Sequence, residues 1–339
     1  MKKLWLITAT AILSLFIMTG CVGSNSNDGT EKVFAFVAKD VNNPYMQKVY
    51  EGFEDACKKI GVTPLYKGPE AATAEKQIEI INQLVNQNVS LIAIAANDAD
   101  ALQPALEIAM NRGIKVISLD SAVNKNSRML HIQQADPEKI GRTLIQAASQ
   151  MVQGNGGIAV LSATAQATNQ NIWISWMKKE IEENPDKYAS TPLVTVVYGD
   201  DDPTKSTSET NALLQNGSVD VIIAPTTVGM LAAGKVLQDT NSDVLLTGLG
   251  LPSEMAPFIE DGTCPRMFLW NPVDIGILTA HTANALVNGE ITGAEGETFT
   301  AGDMGEKTIT VSSDGGTEVM LGDPYEFNKD NIASWKNVY

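Results

Sequence analysis

The sequence predicts an α/β protein built from two similar units, each a parallel β-sheet with helices on both faces. Short apolar runs alternate along the chain with stretches of helical spacing, and this alternation starts again after Asp136-Pro137. The length of 339 residues also suits two domains of the usual ~100–200 residues each. These observations together predict a doubly wound, two-unit α/β fold.

The first unit opens with the apolar run Val33–Val37, which is typical of a buried strand. Met46, Val49 and Phe53 follow at helical spacing, and Gly61 is a helix stop. The predicted strands of this unit are 33–37, 62–66, 91–95 and 116–119, and its helices are 45–60, 74–86 and 99–112. The second unit is predicted to have helices at 140–152, 171–183, 205–214 and 229–237, and strands at 158–162, 194–198, 219–224 and 244–249.

The first residues are typical of a secretory leader. Lys2 and Lys3 precede an apolar stretch over residues 4–18, which is shorter than the ~20 residues that a spanning helix needs. The Gly-Cys junction at Cys21 resembles the lipobox of bacterial lipoproteins, which implies cleavage after residue 20 and lipidation of Cys21. A plain secretory signal with an incidental cysteine is the alternative. We expect a signal peptide at 1–20 and a polar tether at 21–31.

Composition and charge exclude several classes. A net charge of −16 opposes nucleic-acid binding, which begins with basic side chains on phosphates. The two histidines and three cysteines have no zinc-ligand spacing, so neither a metal nor a cofactor is expected. An oxidising compartment would permit a disulfide between Cys57 and Cys264, but nothing in the sequence brings them together.

Motifs that suggest catalysis or phosphate binding have simpler interpretations. Gly229 to Lys235 matches G-x4-G-K but continues with Val and has a helical interior. Asp200-Asp201-Asp202 lacks calcium-loop spacing, and Asp202 before Pro203 is typical of a helix N-cap. His131 and His281 lack a partnered nucleophile motif. We therefore expect no enzymatic activity.

Polar side chains and a few aromatic rings follow the predicted strands of both units. Ligands of open α/β sheets bind beyond the carboxyl ends of the strands, and amides, carboxylates and flat rings suit hydroxyl-rich ligands. Ordinary turn chemistry is the alternative explanation of these loops. The candidate ligand-binding residues are Lys39, Asn43, Tyr45, Asp120, Asn169, Gln170, Trp173, Pro225, Thr226, Thr227 and Trp270.

Several of these segments carry a resemblance to a known family. Residues 36–45, with Asn43-Pro44-Tyr45, together with 97–102, 113–120 and 221–225, resemble the ribose-type periplasmic sugar-binding proteins over essentially all of residues 32–339. The segments 66–69, 168–173, 202–206 and 327–332 are similar to the branch that contains the rhamnose-binding and autoinducer-2-binding proteins. The resemblance implies a two-lobed Venus-flytrap protein with three hinge crossings.

By position in that family, residues 32–132 plus 271–300 would form the N-lobe and 133–270 plus 301–339 the C-lobe. The resemblance implies an extracytoplasmic sugar-binding lipoprotein of an ABC importer, whose partners are a membrane permease and the membrane through the lipid anchor. We expect a monomer.

The resemblance also bears on the ligand. The autoinducer-2 binders have Asp at the positions of Asn169 and Thr226, and ribose binders have Arg and Asp at the positions of Ser121 and Gly250. A neutral, rhamnose-like monosaccharide is therefore the expected ligand. An autoinducer-2 receptor that reports to a membrane sensor is the alternative.

Overall fold

The computed structural model describes residues 31–339 and places strand after helix along the chain, as the sequence predicts. The expectations for the leader, the tether and Cys21 lie outside the described residues, except at Glu31. Within residues 31–339, no helix is long and apolar enough to cross a membrane. The predicted α/β class with two parallel sheets is confirmed.

Seven strands form the first sheet, in the order β13-β14-β5-β4-β3-β1-β2. All neighbouring pairs are parallel except the edge pair β13–β14. The strands are β1 (Val33–Val37), β2 (Thr63–Lys67), β3 (Leu91–Ile94), β4 (Lys115–Leu119), β5 (His131–Gln133), β13 (Thr310–Val311) and β14 (Thr317–Met320). Its helices are α1 (Pro44–Lys59), α2 (Ala74–Asn86), α3 (Ala99–Asn111) and α10 (Pro272–Asn288).

Four parallel strands form the second sheet, in the order β7-β6-β8-β9. A bridge between Leu249 and Phe268 links its edge to the antiparallel pair β10–β15. The strands are β6 (Ile158–Ser162), β7 (Leu193–Tyr198), β8 (Val221–Ala224), β9 (Leu245–Gly248), β10 (Arg266–Leu269) and β15 (Tyr325–Asn328). The helices are α4 (Pro137–Met151), α5 (Thr168–Glu183), α6 (Pro185–Tyr188), α7 (Pro203–Asn216), α8 (Thr227–Asp239), α9 (Pro252–Asp261) and α11 (Ile332–Trp335). A separate hairpin consists of β11 (Thr298–Thr300) and β12 (Glu306–Thr308).

Both faces of the first sheet are buried, as expected for parallel strands covered by helices. In β1, Phe34 and Phe36 belong to the larger core cluster, whereas Ala35 and Val37 belong to the cluster that contains residues of α2 and α3. This alternation places successive side chains on opposite faces of the sheet. The continuous apolar run in the sequence is explained by this two-sided burial.

The chain passes between the two sheets at three places. It leaves the first sheet after β5, returns to it after β10, and leaves it again after β14. The pairing of β14 with β5 is parallel and belongs to the first sheet. It differs from the expectation that residues 301–339 lie with the second unit, because residues 310–320 complete the first sheet. We call the part built on the first sheet the first lobe and the other part the second lobe.

Helices α1 and α10 pack against each other at unusually short range. A Cβ atom at Gly52 would lie 2.0 Å from the carbonyl oxygen of Val273, and one at Gly276 would lie 1.9 Å from the carbonyl oxygen of Val49. Only glycine fits at either position, since real Cβ atoms do not approach backbone this closely. Two glycines, one from each helix, thus let the two backbones make direct contact.

The two cysteines within residues 31–339, Cys57 and Cys264, are free thiols. Cys57 and Cys264 are both buried and unbonded to each other. Burial raises the pKa of Cys57 to about 12, and it raises the pKa of Cys264 further still. A buried thiol with a raised pKa is a poor nucleophile, so both side chains act as small apolar residues of the core.

Candidate ligand-binding site

A cavity lies where the carboxyl ends of strands from both sheets meet. The empty space between its lining residues, including the part open to solvent, is about 390 Å³. The strand-end residues that the sequence indicated therefore come together at one place in the fold. Every candidate ligand-binding residue of the sequence analysis lines this cavity: Lys39, Asn43, Tyr45, Asp120, Asn169, Gln170, Trp173, Pro225, Thr226, Thr227 and Trp270.

Asp120 contacts Lys39, Tyr45 and Asn169, and these four side chains form a polar part of the cavity lining. Asp120 follows β4 directly and has a φ of 57°, a left-handed conformation that Asp tolerates better than most residues. Its carboxylate accepts hydrogen bonds from the hydroxyl of Tyr45 at 3.3 Å and from Nδ2 of Asn169 at 3.0 Å. Nζ of Lys39 lies 3.6 Å from Oδ2 of Asp120. Asp120 thus receives donors from both lobes.

The charges of Asp120 and Lys39 form a buried pair, with side chains 6% and 9% exposed. Burial raises the pKa of Asp120 above its ordinary value, and the positive charge of Lys39 and the hydrogen bond from Tyr45 offset part of that effect. Burial and the nearby charge of Asp120 raise the pKa of Tyr45 well above 10, so the phenol stays neutral. This polar part of the lining therefore contains one cation paired with one carboxylate, and the neutral donors of Tyr45 and Asn169.

Asn169 and Gln170 lie in the first turn of α5, and not in the loop before it as predicted. The helix begins at Thr168, and the residue before it, Ala167, has an extended backbone and makes no side-chain capping bond. Oε1 of Gln170 accepts hydrogen bonds from Oγ of Ser162 at 2.7 Å and from the backbone N–H of Ala163 at 2.8 Å. These bonds tie the helix to the end of β6 and fix the orientation of the Gln170 amide.

Aromatic rings form another part of the lining. Nε1 of Trp270 donates a 2.7 Å hydrogen bond to the hydroxyl of Tyr45, and the two rings meet edge to face. The ring of Trp173 lies 6.0 Å from that of Trp270. Nε1 of Trp173 is buried and has no hydrogen-bond partner within residues 31–339. An unpaired buried donor costs ~1–3 kcal/mol.

The structure adds lining residues that the sequence analysis did not nominate: Met46, Asp201, Leu249 and Leu269. Leu249 and Leu269 end or follow strands, but a search for polar side chains passes over them. Asp201 lies in an acidic run whose neighbour Asp202 does cap α7, with its carboxylate accepting from the N–H of Lys205 at 2.7 Å. The hydroxyl of Thr226 donates to Asp201. The carboxylate of Asp201 therefore lies next to Thr226, whose own side chain carries only a hydroxyl.

The remaining motifs have structural roles. Gly229 and Gly234 lie inside α8, so the G-x4-G-K stretch is helical. His131 is buried, and its Nδ1 is 2.9 Å from the hydroxyl of Ser118. Burial and the charge of Arg128 lower the pKa of His131 to about 3. Within residues 31–339, no three His, Cys, Asp or Glu side chains are grouped so as to hold a metal ion.

The fold thus has two lobes, three crossings between them and a cavity where strand ends of both lobes face each other. Residues 34–291 match the periplasmic binding protein domain. The chain belongs to the periplasmic binding protein family. Its members are solute-binding proteins rather than enzymes.

Solved structures of this family include one that is 47% identical to the chain. It is an ABC transporter solute-binding protein from Clostridium phytofermentas with bound L-rhamnose, with a TM-score of 0.88 over 91% of this chain and 99% of that one. LsrB from Clostridium saccharobutylicum in complex with AI-2 is 22% identical, with a TM-score of 0.83 over 89% of this chain and 99% of that one, and supports the fold alone. The ribose import binding protein of Bacillus subtilis is 22% identical over 86% of this chain and 95% of its own.

Proposed function

We propose that this periplasmic binding protein is the extracytoplasmic receptor of an ABC importer and binds a neutral monosaccharide, with L-rhamnose as the first choice. The observation that carries the proposal is that the cavity is lined both by hydrogen-bonding side chains and by aromatic rings. A monosaccharide needs both, because its hydroxyls form hydrogen bonds and its C–H groups form apolar patches. The relative from Clostridium phytofermentas, solved with L-rhamnose, supports this choice.

The charges of the site favour a neutral ligand. Lys39 and Asp120 already pair with each other, and Asp201 already accepts hydrogen bonds from two neighbours. A strongly charged ligand would leave one buried charge without a partner, which is costly. The indole rings of Trp173 and Trp270 suit the methyl group or a C–H patch of a deoxy sugar.

A thermal-shift and calorimetry panel tests the ligand. L-Rhamnose is expected to raise Tm, and a ligand at about 100 times its Kd stabilises the folded state by ~2.7 kcal/mol. L-Mannose, which differs only by a hydroxyl on C6, is the matched control and is expected to bind more weakly. Autoinducer-2, D-ribose and D-arabinose complete the panel. Tighter binding of autoinducer-2 would favour the signal-receptor alternative, and a response to amino acids or sugar phosphates alone would overturn the proposal.

Binding is proposed to close the cleft. The first lobe would comprise residues 31–133 and 271–320, and the second lobe 134–270 and 321–339, on the basis of the strand pairing. A ligand that touches Asp120 and Asn169 at once can do so only when the lobes are together, so it favours the closed state. Small-angle scattering is expected to give a smaller radius of gyration with saturating ligand, and an equal or larger radius at saturation would contradict closure.

The attachment to the membrane is proposed to be a lipid on Cys21, with residues 21–31 as a tether to a domain that works beside its permease. No catalytic turnover is expected, and the working unit is a monomer. Membrane fractionation of the native protein and of Cys21→Ser tests the anchor. The native protein is expected in the membrane fraction and the variant in the soluble extracytoplasmic fraction; equal membrane attachment of both would exclude Cys21.

A further inference from the structure

Three consecutive aspartates follow β7, and each has a different set of contacts. Asp200 forms an ion pair with Lys205 at 2.5 Å, and Asp202 caps α7. Asp201 lies between them with a φ of 54°, a left-handed conformation like that of Asp200. This backbone places the carboxylate of Asp201 at the edge of the cavity, where it is partly exposed.

The carboxylate of Asp201 connects the two lobes. Its Oδ1 accepts from the hydroxyl of Thr226 in its own lobe, and its Oδ2 accepts from Nδ2 of Asn43 in the first lobe at 3.3 Å. Asn43 has a fixed orientation because its Oδ1 caps α1, accepting from the N–H groups of Tyr45 at 3.0 Å and Met46 at 3.3 Å. Its Nδ2 must therefore face away from α1 and toward Asp201.

This contact differs from the other polar contacts across the cleft. Asn169 donates a hydrogen bond to Asp120 and accepts one from Lys39. These three side chains line the cavity, and a ligand inside it would use their donors and acceptors. Both oxygens of Asp201 are already engaged by protein donors at the rim. A ligand can therefore replace the inner contacts while the contact between Asn43 and Asp201 stays in place.

The charge at Asp201 has a cost that this contact must offset. Asp40 belongs to the first lobe, across the cleft from Asp201. The negative charge of Asp201 adds to burial in raising the pKa of Asp40. The same charge acts in the same direction on Asp120. A carboxylate with like charges near it is placed unfavourably unless its hydrogen bonds stabilise the arrangement in which it occurs.

We propose that Asp201 is a positioning residue that holds the two lobes together at the rim of the cleft through Asn43, and so sets the lifetime of the ligand-bound state. This inference rests on the proposed binding function and goes beyond it, because Asp201 acts through the closed state and not through the ligand. Thr226 fixes the carboxylate from its own side, and the capped start of α1 fixes Asn43 from the other.

Stopped-flow fluorescence with L-rhamnose tests the proposal in Asp201→Ala, Asn43→Ser and the double variant. Serine keeps the helix cap but lacks the long amide donor. Each single variant is expected to raise koff about threefold to tenfold with kon changed less than twofold, since a 3.3 Å, part-buried hydrogen bond has ordinary rather than charge-assisted strength. The double variant is expected to resemble the single ones. Asp200→Asn, next in the chain but paired with Lys205, is the matched control with unchanged koff.

An unchanged koff in Asp201→Ala, or effects that multiply in the double variant, would overturn the proposal. A second measurement separates this from the ligand assignment. The pair Asn43→Cys and Asp201→Cys is expected to be bridged by a short bifunctional thiol reagent even without sugar, because the reagent traps the closed state that the free protein visits as a minor population, whereas Asn43→Cys with Asp200→Cys is expected to be bridged more slowly. If no sugar of the panel binds the native protein but the first pair is bridged, the ligand proposal fails and the rim contact stands. Absence of bridging in the first pair would overturn the rim contact itself.

Discussion

The side-chain amide of Asn169 donates a 3.0 Å hydrogen bond to the carboxylate of Asp120, across the cleft between the two lobes. Asp120 follows a strand of the first sheet, and Asn169 lies in the first turn of a helix that follows a strand of the second. The two residues thus form a direct polar link between facing strand ends inside the cavity. A bound hydroxyl that takes the place of this bond would be held by both lobes at once.

Asp120→Asn is expected to weaken binding of L-rhamnose by about tenfold to a few hundredfold. Asparagine tolerates the left-handed backbone, but it lacks the charge, and charge-assisted hydrogen bonds contribute ~1.5–3 kcal/mol each. Calorimetry measures the change, at ~1.4 kcal/mol per tenfold in Kd. Asp40→Asn, a carboxylate at the rim, is the control with nearly native affinity. Native affinity in Asp120→Asn would remove this carboxylate from the ligand contacts.

Tyr45→Phe is expected to lower the free energy of unfolding by about 1–3 kcal/mol, because it leaves Nε1 of Trp270 buried without an acceptor. The same change removes the donor that Tyr45 gives to Asp120. Urea unfolding of the ligand-free protein measures the effect. Tyr325→Phe, at a ring that is 46% exposed, is expected to change the stability little. Equal stability of both variants would show that the Trp270 indole finds another acceptor.

Glu180→Gln is expected to destabilise the second lobe by about 1–3 kcal/mol at neutral pH, since it breaks a largely buried ion pair whose partner Arg142 is partly exposed. Burial alone would raise the pKa of Glu180, but hydrogen bonds from Gln146, Arg142, Lys187 and Tyr188 outweigh it and lower the pKa to about 2. A lowered carboxyl pKa gives stability that is present above pH ~4.5 and is lost as the pH falls toward 2.

Unfolding experiments at pH 7, 4.5 and 3 check this dependence. The difference in stability between the native protein and Glu180→Gln is expected to shrink as the pH falls. Glu182→Gln, an exposed residue of the same helix, is the control with no such trend. A difference that stays constant with pH would mean that the carboxylate charge of Glu180 does not contribute.

Glu318 gives a pH dependence of the opposite sign. Burial raises its pKa to about 7, with Arg128 lowering it and Asp314 and Asp136 raising it, and its register partner on β5 is His131. A raised carboxyl pKa favours folding below pH ~4.5, and that stability is lost as the pH rises through 7. At ~1.4 kcal/mol per pKa unit, and with solvent screening of a partly exposed group, the loss is about 1–2 kcal/mol.

Glu318→Gln is expected to remove this loss. Relative to the variant, the native protein should become less stable between pH 4.5 and 7.5 in urea unfolding. The titration of His131 contributes equally to both proteins and cancels from the difference. Glu306→Gln, at an exposed residue of the hairpin, is the control. A constant difference between native protein and Glu318→Gln across this range would contradict the raised pKa.

The sequence predicted the local elements well because their signals are local. The apolar run of β1 and the cap at Asp202 need only neighbouring residues, and each occurs where the pattern indicates. The cavity lining was also predictable, since the carboxyl ends of parallel strands meet by geometry. Whether those residues bind a ligand stays a prediction until the panel is measured.

What the sequence did not predict depends on long-range pairing. Strand β14 is short and lies in parallel beside β5, and nothing in four residues specifies a partner so distant along the chain. Asp201 was interpreted with its neighbours as part of a helix start, because its partners Asn43 and Thr226 come from other loops. Such contacts exist only after the lobes have come together.

The glycine contact between α1 and α10 has a consequence for the order of events in capture. Tyr45 lies in the first turn of α1 and Trp270 lies two residues before α10, so direct backbone contact between the helices is expected to keep these two rings together. Two of the three rings that line the cavity are then in place whether or not the lobes have met. We expect a sugar to contact this pair of rings first, and Trp173 of the second lobe to complete the contact on closure.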